Sequence, residues 1–199
     1  HIKPLDLSPQ ELEQVSDLFI RSGSTINGGR EFLDWQYNLN PAGQAVGYNA
    51  YFDGLLIAHY AAIPLRAKVF GEDVFGYLSI NTRTDREHQG QGLFTRLAES
   101  TYSDIEKTGG EFVVGVANEN SVYGFTKKLG FQHVGVLDRR FVLGSPSMGN
   151  CDLDYEPIWD SATVAWRLDN PTKSYKYRIK GDRALLYGKS RQFLSLIGD

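Results

Sequence analysis

The segment EHQGQGLFTRL, Glu87–Leu97, sets two glycines around a glutamine just ahead of residues with helical periodicity. A helix that starts here leaves its first four N–H groups without internal partners, and its dipole adds partial positive charge. Glycines let a bulky anion approach such a backbone closely. Arg86 and His88 lie in the loop, and Arg83 and Arg96 flank it, so the segment is locally basic in an acidic chain. These types and spacings point to a phosphate or pyrophosphate site, the alternative being a glycine-rich turn that only joins strand to helix. GK[ST] is absent, which excludes a Walker loop, and Thr95 stands where GxGxxG would need its third glycine.

Other reactive side chains offer less. Cys151 is the sole cysteine, in the turn-forming stretch SMGNCDLD, which rules out an internal disulfide and fits a reducing compartment. His1, His59, His88 and His133 are scattered without metal-ligand spacing, so no metal is expected.

The elements that would position the loop follow from periodicity. Ile2–Leu7 reads as a short strand. Ser8-Pro9-Gln10-Glu11 is a helix start with a capping box, followed by an apolar stripe at Leu12, Val15, Leu18 and Phe19. A second helix is expected over about Arg30–Asn38. Val46–Phe52 alternates up to Asp53-Gly54, a hairpin signal. Leu55–Val69 returns, with room to bend at Pro64, and Gly71-Glu72-Asp73 turns the chain into Val74–Thr84. After HQGQG a helix carries Leu93, Phe94, Leu97, Ala98 and Ile105 on one face and stops at Gly109-Gly110. Phe112–Val116 suits a central strand, Asn120 or Ser121 can cap a short helix closed by Gly130, and Phe131–Leu143 supplies final strands.

This order predicts an α/β (α+β) fold with a mixed, mostly antiparallel central sheet flanked by helices. The consecutive hairpins exclude a purely doubly wound sheet. With 199 residues, 41% of them hydrophobic, the chain can bury a substantial core. A net charge of −3 argues against nucleic-acid binding. No run of about 18 apolar residues marks a membrane span. The opening HIKPLDLS lacks a signal-peptide layout and, without Met, is expected to be a trimmed start.

The second half carries VGVANENSVYGFTKKLGF, Val114–Phe131: strand, polar loop, short helix and an LGF turn. Placed after HQGQG, it resembles the GCN5-related N-acetyltransferase superfamily, in which a strand leads into Q/R-x-x-G-x-G/A and then helix, strand and a helix ending in Gly-Phe. Gln89, Gly92 and Phe94 take the three marked places, Phe94 departing from the usual Gly or Ala. The resemblance spans roughly residues 2–143 and looks closest to a bacterial branch of loosely characterised acetyltransferases. It implies an acyl-CoA N-acyltransferase-like fold using acetyl-CoA and a small-molecule amine, with an amino sugar or nucleotide sugar as first guess, in the cytoplasm. A homodimer is the assembly considered.

By that resemblance the amides of Gln89, Gly90, Gln91, Gly92, Leu93 and Phe94 hold the pyrophosphate. Thr82, Arg83 and Thr84 pair with the pantetheine arm, with Asn118 and Ser121 on its other side. A Thr82 N–H polarises the thioester carbonyl, across a splayed gap between the two strands. The strand from Val74 to Thr84 has no Glu or Asp to serve as base. Asn81, Tyr77, His59 and Glu87 are the groups available for acceptor binding or a water-relayed base. Thr126 occupies the place of the usual tyrosine acid, and Tyr123, one turn earlier, is read either as the substitute or as a packed aromatic. Lys127 and Lys128 are read as a solvated helix end, with nucleotide phosphates as the alternative. Two competing functions stay in view: a non-catalytic relative that binds CoA, and a dinucleotide-dependent oxidoreductase.

Residues 1–143 form the expected catalytic domain, 144–160 a linker, and 161–199 a C-terminal helix and hairpin extension. The extension echoes the start of the domain. Trp35 and Asn40-Pro41 precede one alternating strand, and Trp166 and Asn170-Pro171 precede another. It is read either as a truncated or degenerate second repeat or as a packing element.

Overall fold

The computed structural model describes residues 1–119, 121–136, 154–180, 183–190 and 193–196. Strand β1 (Ile2–Pro4) leads into α1 (Pro9–Arg21) and α2 (Gly29–Tyr37). A meander follows of β2 (Val46–Phe52), β3 (Leu55–Val69) and β4 (Glu72–Thr84), then α3 (Leu93–Lys107) and β5 (Phe112–Gly115). The strands lie in the order β1-β2-β3-β4-β5, and β4–β5 is the sole parallel pair among the described strands. The mixed, mostly antiparallel sheet is therefore as expected.

Both tight turns of the meander use two residues at positive φ, which matches the right-handed twist of the paired strands. The first is Asp53-Gly54 (φ 47° and 78°), as the sequence suggests. The second is Phe70-Gly71 (φ 50° and 85°), which moves the turn one residue ahead of the expected Gly-Glu-Asp. The irregularity in β3 falls at His59/Ala61, where Asn81 on β4 has φ 49°, and not at Pro64, which stays in register with Tyr77.

Residues of β3 from Leu56 to Pro64 are buried, because helices cover both sheet faces. On one face Leu12, Val15 and Leu18 of α1 and Leu33 and Tyr37 of α2 meet Leu56, Ala61 and Ile63. On the other, Leu93, Leu97 and Ala98 of α3 meet Ile57, Ala58 and Tyr60. Only half of the expected capping box forms. Ser8 Oγ accepts from Glu11 N at 3.4 Å, whereas the Glu11 carboxylate turns inward to Asn49 and Lys3.

Three expectations need correction. Residues 131–136 form no strand, and the remainder of that prediction, 137–143, lies outside the described residues, as does Cys151. The Phe131 ring is drawn under α3 against Phe125 and Tyr102, which ends any extended pairing there. The linker contains β6 (Tyr155–Pro157), which fills the edge of β3 at Ala67–Val69 that the shorter β2 leaves open. The C-terminal hairpin is a three-stranded antiparallel sheet, β7 (Tyr175–Lys180), β8 (Arg183–Ser190) and β9 (Phe193–Leu196), preceded by α4 (Ser161–Leu168).

Trp35 and Trp166 stack at 4.4 Å and 9°. Each indole N–H donates to the other's carbonyl, at 2.9 and 3.0 Å. Asn40 and Asn170 then make the same turn, each side-chain oxygen accepting from the amide two residues on.

Candidate active site

Strand β5 pairs with β4 from Gly76/Phe112 to Ser79/Gly115 and goes no further. Among the described residues, β4 continues to Thr84 with only β3 as its partner. On the β5 side, the backbone of Ile80–Thr84 thus presents an open edge. Strand β5 itself ends at Gly115, where the sequence reading expects a splayed gap.

This edge runs into a 3-10 turn at Arg86–His88, capped by Asp85, and then into the glycine loop. Gly90 (φ 78°) and Gly92 (φ 72°) adopt a conformation costly for side chains with a Cβ. A Cβ built at either would meet nothing within 4 Å, so the space above the loop is free. Gly92 caps α3 without a side-chain hydrogen bond, and the first turn has no acidic residue. Arg96 N closes the first turn onto Gly92 O at 3.1 Å, which leaves the amides of Leu93, Phe94 and Thr95 pointing outward. The cradle fits an anion.

Two of the flanking cations are committed elsewhere. Arg83 and Arg86 both donate to the Ser22 carbonyl at the end of α1, and Arg21 pairs with Asp85 at 3.0 Å. Arg96, in the first turn of α3, is exposed, and its side chain joins the backbone amides as an anion donor. Gln89 is exposed, its amide on the Thr84 carbonyl at 3.3 Å. Phe94 belongs to the core: its ring meets Phe125 edge-on at 5.3 Å and Tyr60 at 6.0 Å, lying where Gly124 has no Cβ. That explains a phenylalanine at a place where the motif prefers a small residue.

Asn81, at the positive-φ bulge of β4, sits at one end of a buried polar chain. Its Nδ2 donates to Gln36 Oε1 at 2.7 Å and to Tyr37 Oη at 3.0 Å. Tyr37 bonds His59 Nε2 at 2.9 Å, His59 Nδ1 bonds Asn49 Oδ1 at 2.6 Å, and Asn49 Nδ2 donates to Glu11 Oε1 at 2.5 Å. Lys3 closes the chain on Glu11 Oε2 at 2.9 Å. Asn49 donates to Glu11, so its oxygen accepts from His59 Nδ1–H. His59 Nε2 is then bare, and the Tyr37 hydroxyl donates to it. Burial lowers the His59 pKa to about 3, which keeps the ring neutral, and raises that of Tyr37.

Every bond thus runs from Asn81 toward Glu11. Amide N–H groups do not release protons, so the chain is a positioning device and not a proton wire. Both N–H groups of Asn81 are used, which leaves its Oδ1 as the free functional atom. Sequence reading named Asn81 and His59 but missed Glu11, Tyr37 and Asn49. The available signal was polar side chains at inward positions of apolar strands, since Asn49 and His59 are direct cross-strand partners.

The remaining candidates are more dispersed. The Thr82 hydroxyl is buried and has no hydrogen-bond partner. Asn118 and Ser121 bond each other in the loop after β5, where Asn118 Oδ1 accepts from Ser121 N at 3.1 Å. Tyr123 is 64% exposed, immediately before the short helix Gly124–Lys128. Thr126 bonds the Val122 carbonyl at 2.8 Å, Tyr77 bonds Thr108, and Glu87, Lys127 and Lys128 are exposed.

A mixed sheet whose fourth strand runs into an uncapped, glycine-led helix is the arrangement that the resemblance to acyl-CoA N-acyltransferases implies. Comparison bears this out: residues 6–134 match the family model described as an acetyltransferase (GNAT) domain, and the chain belongs to that family. No curated protein matches it. Among solved structures it is similar to an aminoglycoside acetyltransferase from an uncultured soil metagenomic sample (19% identity, TM-score 0.51, covering 72% of this chain and 98% of that one). It is also similar to a predicted acetyltransferase with acetyl-CoA from Clostridium acetobutylicum (16%, 0.52, 72% and 95%). A third is glucosamine-6-phosphate N-acetyltransferase from Arabidopsis thaliana (12%, 0.52, 71% and 97%). At these identities the likeness is one of fold.

Proposed function

We propose that the chain is an acetyl-CoA-dependent N-acetyltransferase of the cytoplasm that acts on a small-molecule amine by direct attack. The observation that carries this is the continuous path from the open edge of β4 at Ile80–Thr84 to the free amides of α3. A pantetheine arm needs a strand edge and a pyrophosphate needs helix amides, and here the two adjoin. Bound there, acetyl-CoA supplies an acyl group already activated as a thioester.

The chain's own groups take the following roles. Gln89–Phe94 hold the diphosphate through backbone N–H groups, and Thr82–Thr84 pair with the arm, with Asn118 and Ser121 facing them. Thr82 N–H donates to the thioester oxygen, where negative charge develops. Asn81 Oδ1 accepts from the attacking amine and orients its lone pair. Tyr123, exposed at the helix start, is the donor available to the departing thiolate. Among the described residues of β4 beyond Asp73 there is no carboxylate, so the amine loses its proton to water before or during attack. Residues 161–199 act as an extension of the domain, built like its α2 and meander.

A thiol-release assay over a panel of primary amines tests this reading. Acetyl-CoA-dependent release with at least one amine is expected. Acetyl-CoA binding without release for any amine would instead mark a CoA-binding relative that has lost catalysis.

A further inference from the structure

A cavity of about 300 Å³ opens between the end of β3 and α4, walled by Ile63, Pro64, Leu78, Tyr155, Trp159 and Trp166. Gln36, the hydrogen-bond partner of Asn81, also lines it, which connects the cavity to the reaction centre. Three charged residues face it: Arg66 from β3, and Asp160 and Arg167 from α4 and its cap.

Their commitments differ. Arg66 lies 3.6 Å from Asp73 and 4.0 Å from Asp160. Asp160 caps α4 through Thr163 N and Oγ1, both at 2.8 Å. Arg167 has no carboxylate partner among the described residues. Its guanidinium sits 5.8 Å from the Trp159 ring and 5.5 Å from the Trp166 ring, against two indole faces. Its Nε and the Trp159 indole Nε1 are buried donors with no acceptor among the described residues. Unpartnered buried donors are rare in folded chains and point to an acceptor that arrives with a ligand. Both donors belong to side chains that line this cavity, and one of them is a cation with no carboxylate partner among the described residues.

We propose that this cavity receives the end of the acceptor molecule remote from its amine, and that this end is an anion, a carboxylate or a phosphate, carried on an apolar or aromatic body. Arg167 and Trp159 bind the anion, and the aromatic walls take the body. The amine then lies past Gln36, at Asn81. A polycationic acceptor is disfavoured, since the cavity is net positive. The assignment rests on the acetyltransferase reading for the amine, but the anion site stands on its own geometry.

The test is calorimetric titration of wild-type protein with phenyl phosphate, 3-phenylpropionate and the uncharged 3-phenylpropanamide, each with and without saturating CoA. At least one anion should bind at least tenfold more tightly than the amide, and Arg167→Gln should weaken it about tenfold or more while Arg167→Lys retains part of the affinity. The stronger of the two anions distinguishes phosphate from carboxylate. Equal binding of amide and anions, no binding of any probe, or anion binding unchanged in Arg167→Gln would overturn the proposal. The comparison of amide with acid needs no variant, so a folding defect in Arg167→Gln does not spoil it. Anion binding without acetyl-CoA binding would sink the acetyltransferase reading alone, and acetyl-CoA binding without anion binding would sink this one alone.

Discussion

At the level of single residues, Asn81 has one atom left to act with and Tyr37 fixes where that atom points. Asn81→Ala removes an acceptor for the attacking amine and should lower kcat about 10- to 100-fold with little change in acetyl-CoA affinity, measured by thiol release and titration. Tyr37→Phe leaves the buried His59 Nε2 without its donor and should destabilise by about 1–3 kcal/mol in urea unfolding. His59 gives a pH signature. Its folded pKa of about 3 lies below the ordinary 6.5, so between those values the unfolded chain binds a proton that the folded chain excludes. Stability from this residue is complete above pH 6.5 and is lost as pH falls toward 3, at up to about 1.4 kcal/mol per unit. Unfolding from pH 7 to 4 should show this slope, and His59→Gln should flatten it.

At the level of elements, two glycines separate framework from function. A Cβ at Gly76 would lie 2.4 Å from the Phe112 ring, at the start of the only parallel pairing described. Gly76→Ala should therefore push β5 from β4 and destabilise by about 1–3 kcal/mol. Gly92→Ala meets no protein atom and strains only its positive φ, for about 1 kcal/mol, yet should weaken acetyl-CoA binding several-fold. Thermal melts and titration of both variants check the contrast. The elements were legible in the sequence because periodicity and turn chemistry are local: Asp53-Gly54, Ser8-Pro9 and the HQGQG helix all fell in place. The Glu11 chain was not, because it depends on which residues of β2 and β3 face each other and which helix residue packs over them. Arg83 and Arg86 looked free beside the loop, and only the packing of α1 shows that the Ser22 carbonyl holds them.

At the level of the whole molecule, α4 is fastened to the domain by the reciprocal Trp35–Trp166 pair. Trp166→Ala removes the stack and the hydrogen bond from the Trp166 indole to the Trp35 carbonyl, and should cost about 2–4 kcal/mol. Limited proteolysis should then cut within residues 154–170 faster than in wild type. The echo between Trp35-Asn40-Pro41 and Trp166-Asn170-Pro171 was visible in the sequence, but their face-to-face contact was not, since residues 131 positions apart meet only through the tertiary fold. The likeness to the acetyltransferase (GNAT) domain covers residues 6–134, and α4 with its cap adds to that frame a cationic, aromatic wall near the reaction centre. All of this depends on one cofactor. Calorimetric titration of the wild-type chain with acetyl-CoA, with NADH as control, should give a micromolar dissociation constant for acetyl-CoA and none for NADH. Absence of acetyl-CoA binding at millimolar concentration would contradict it.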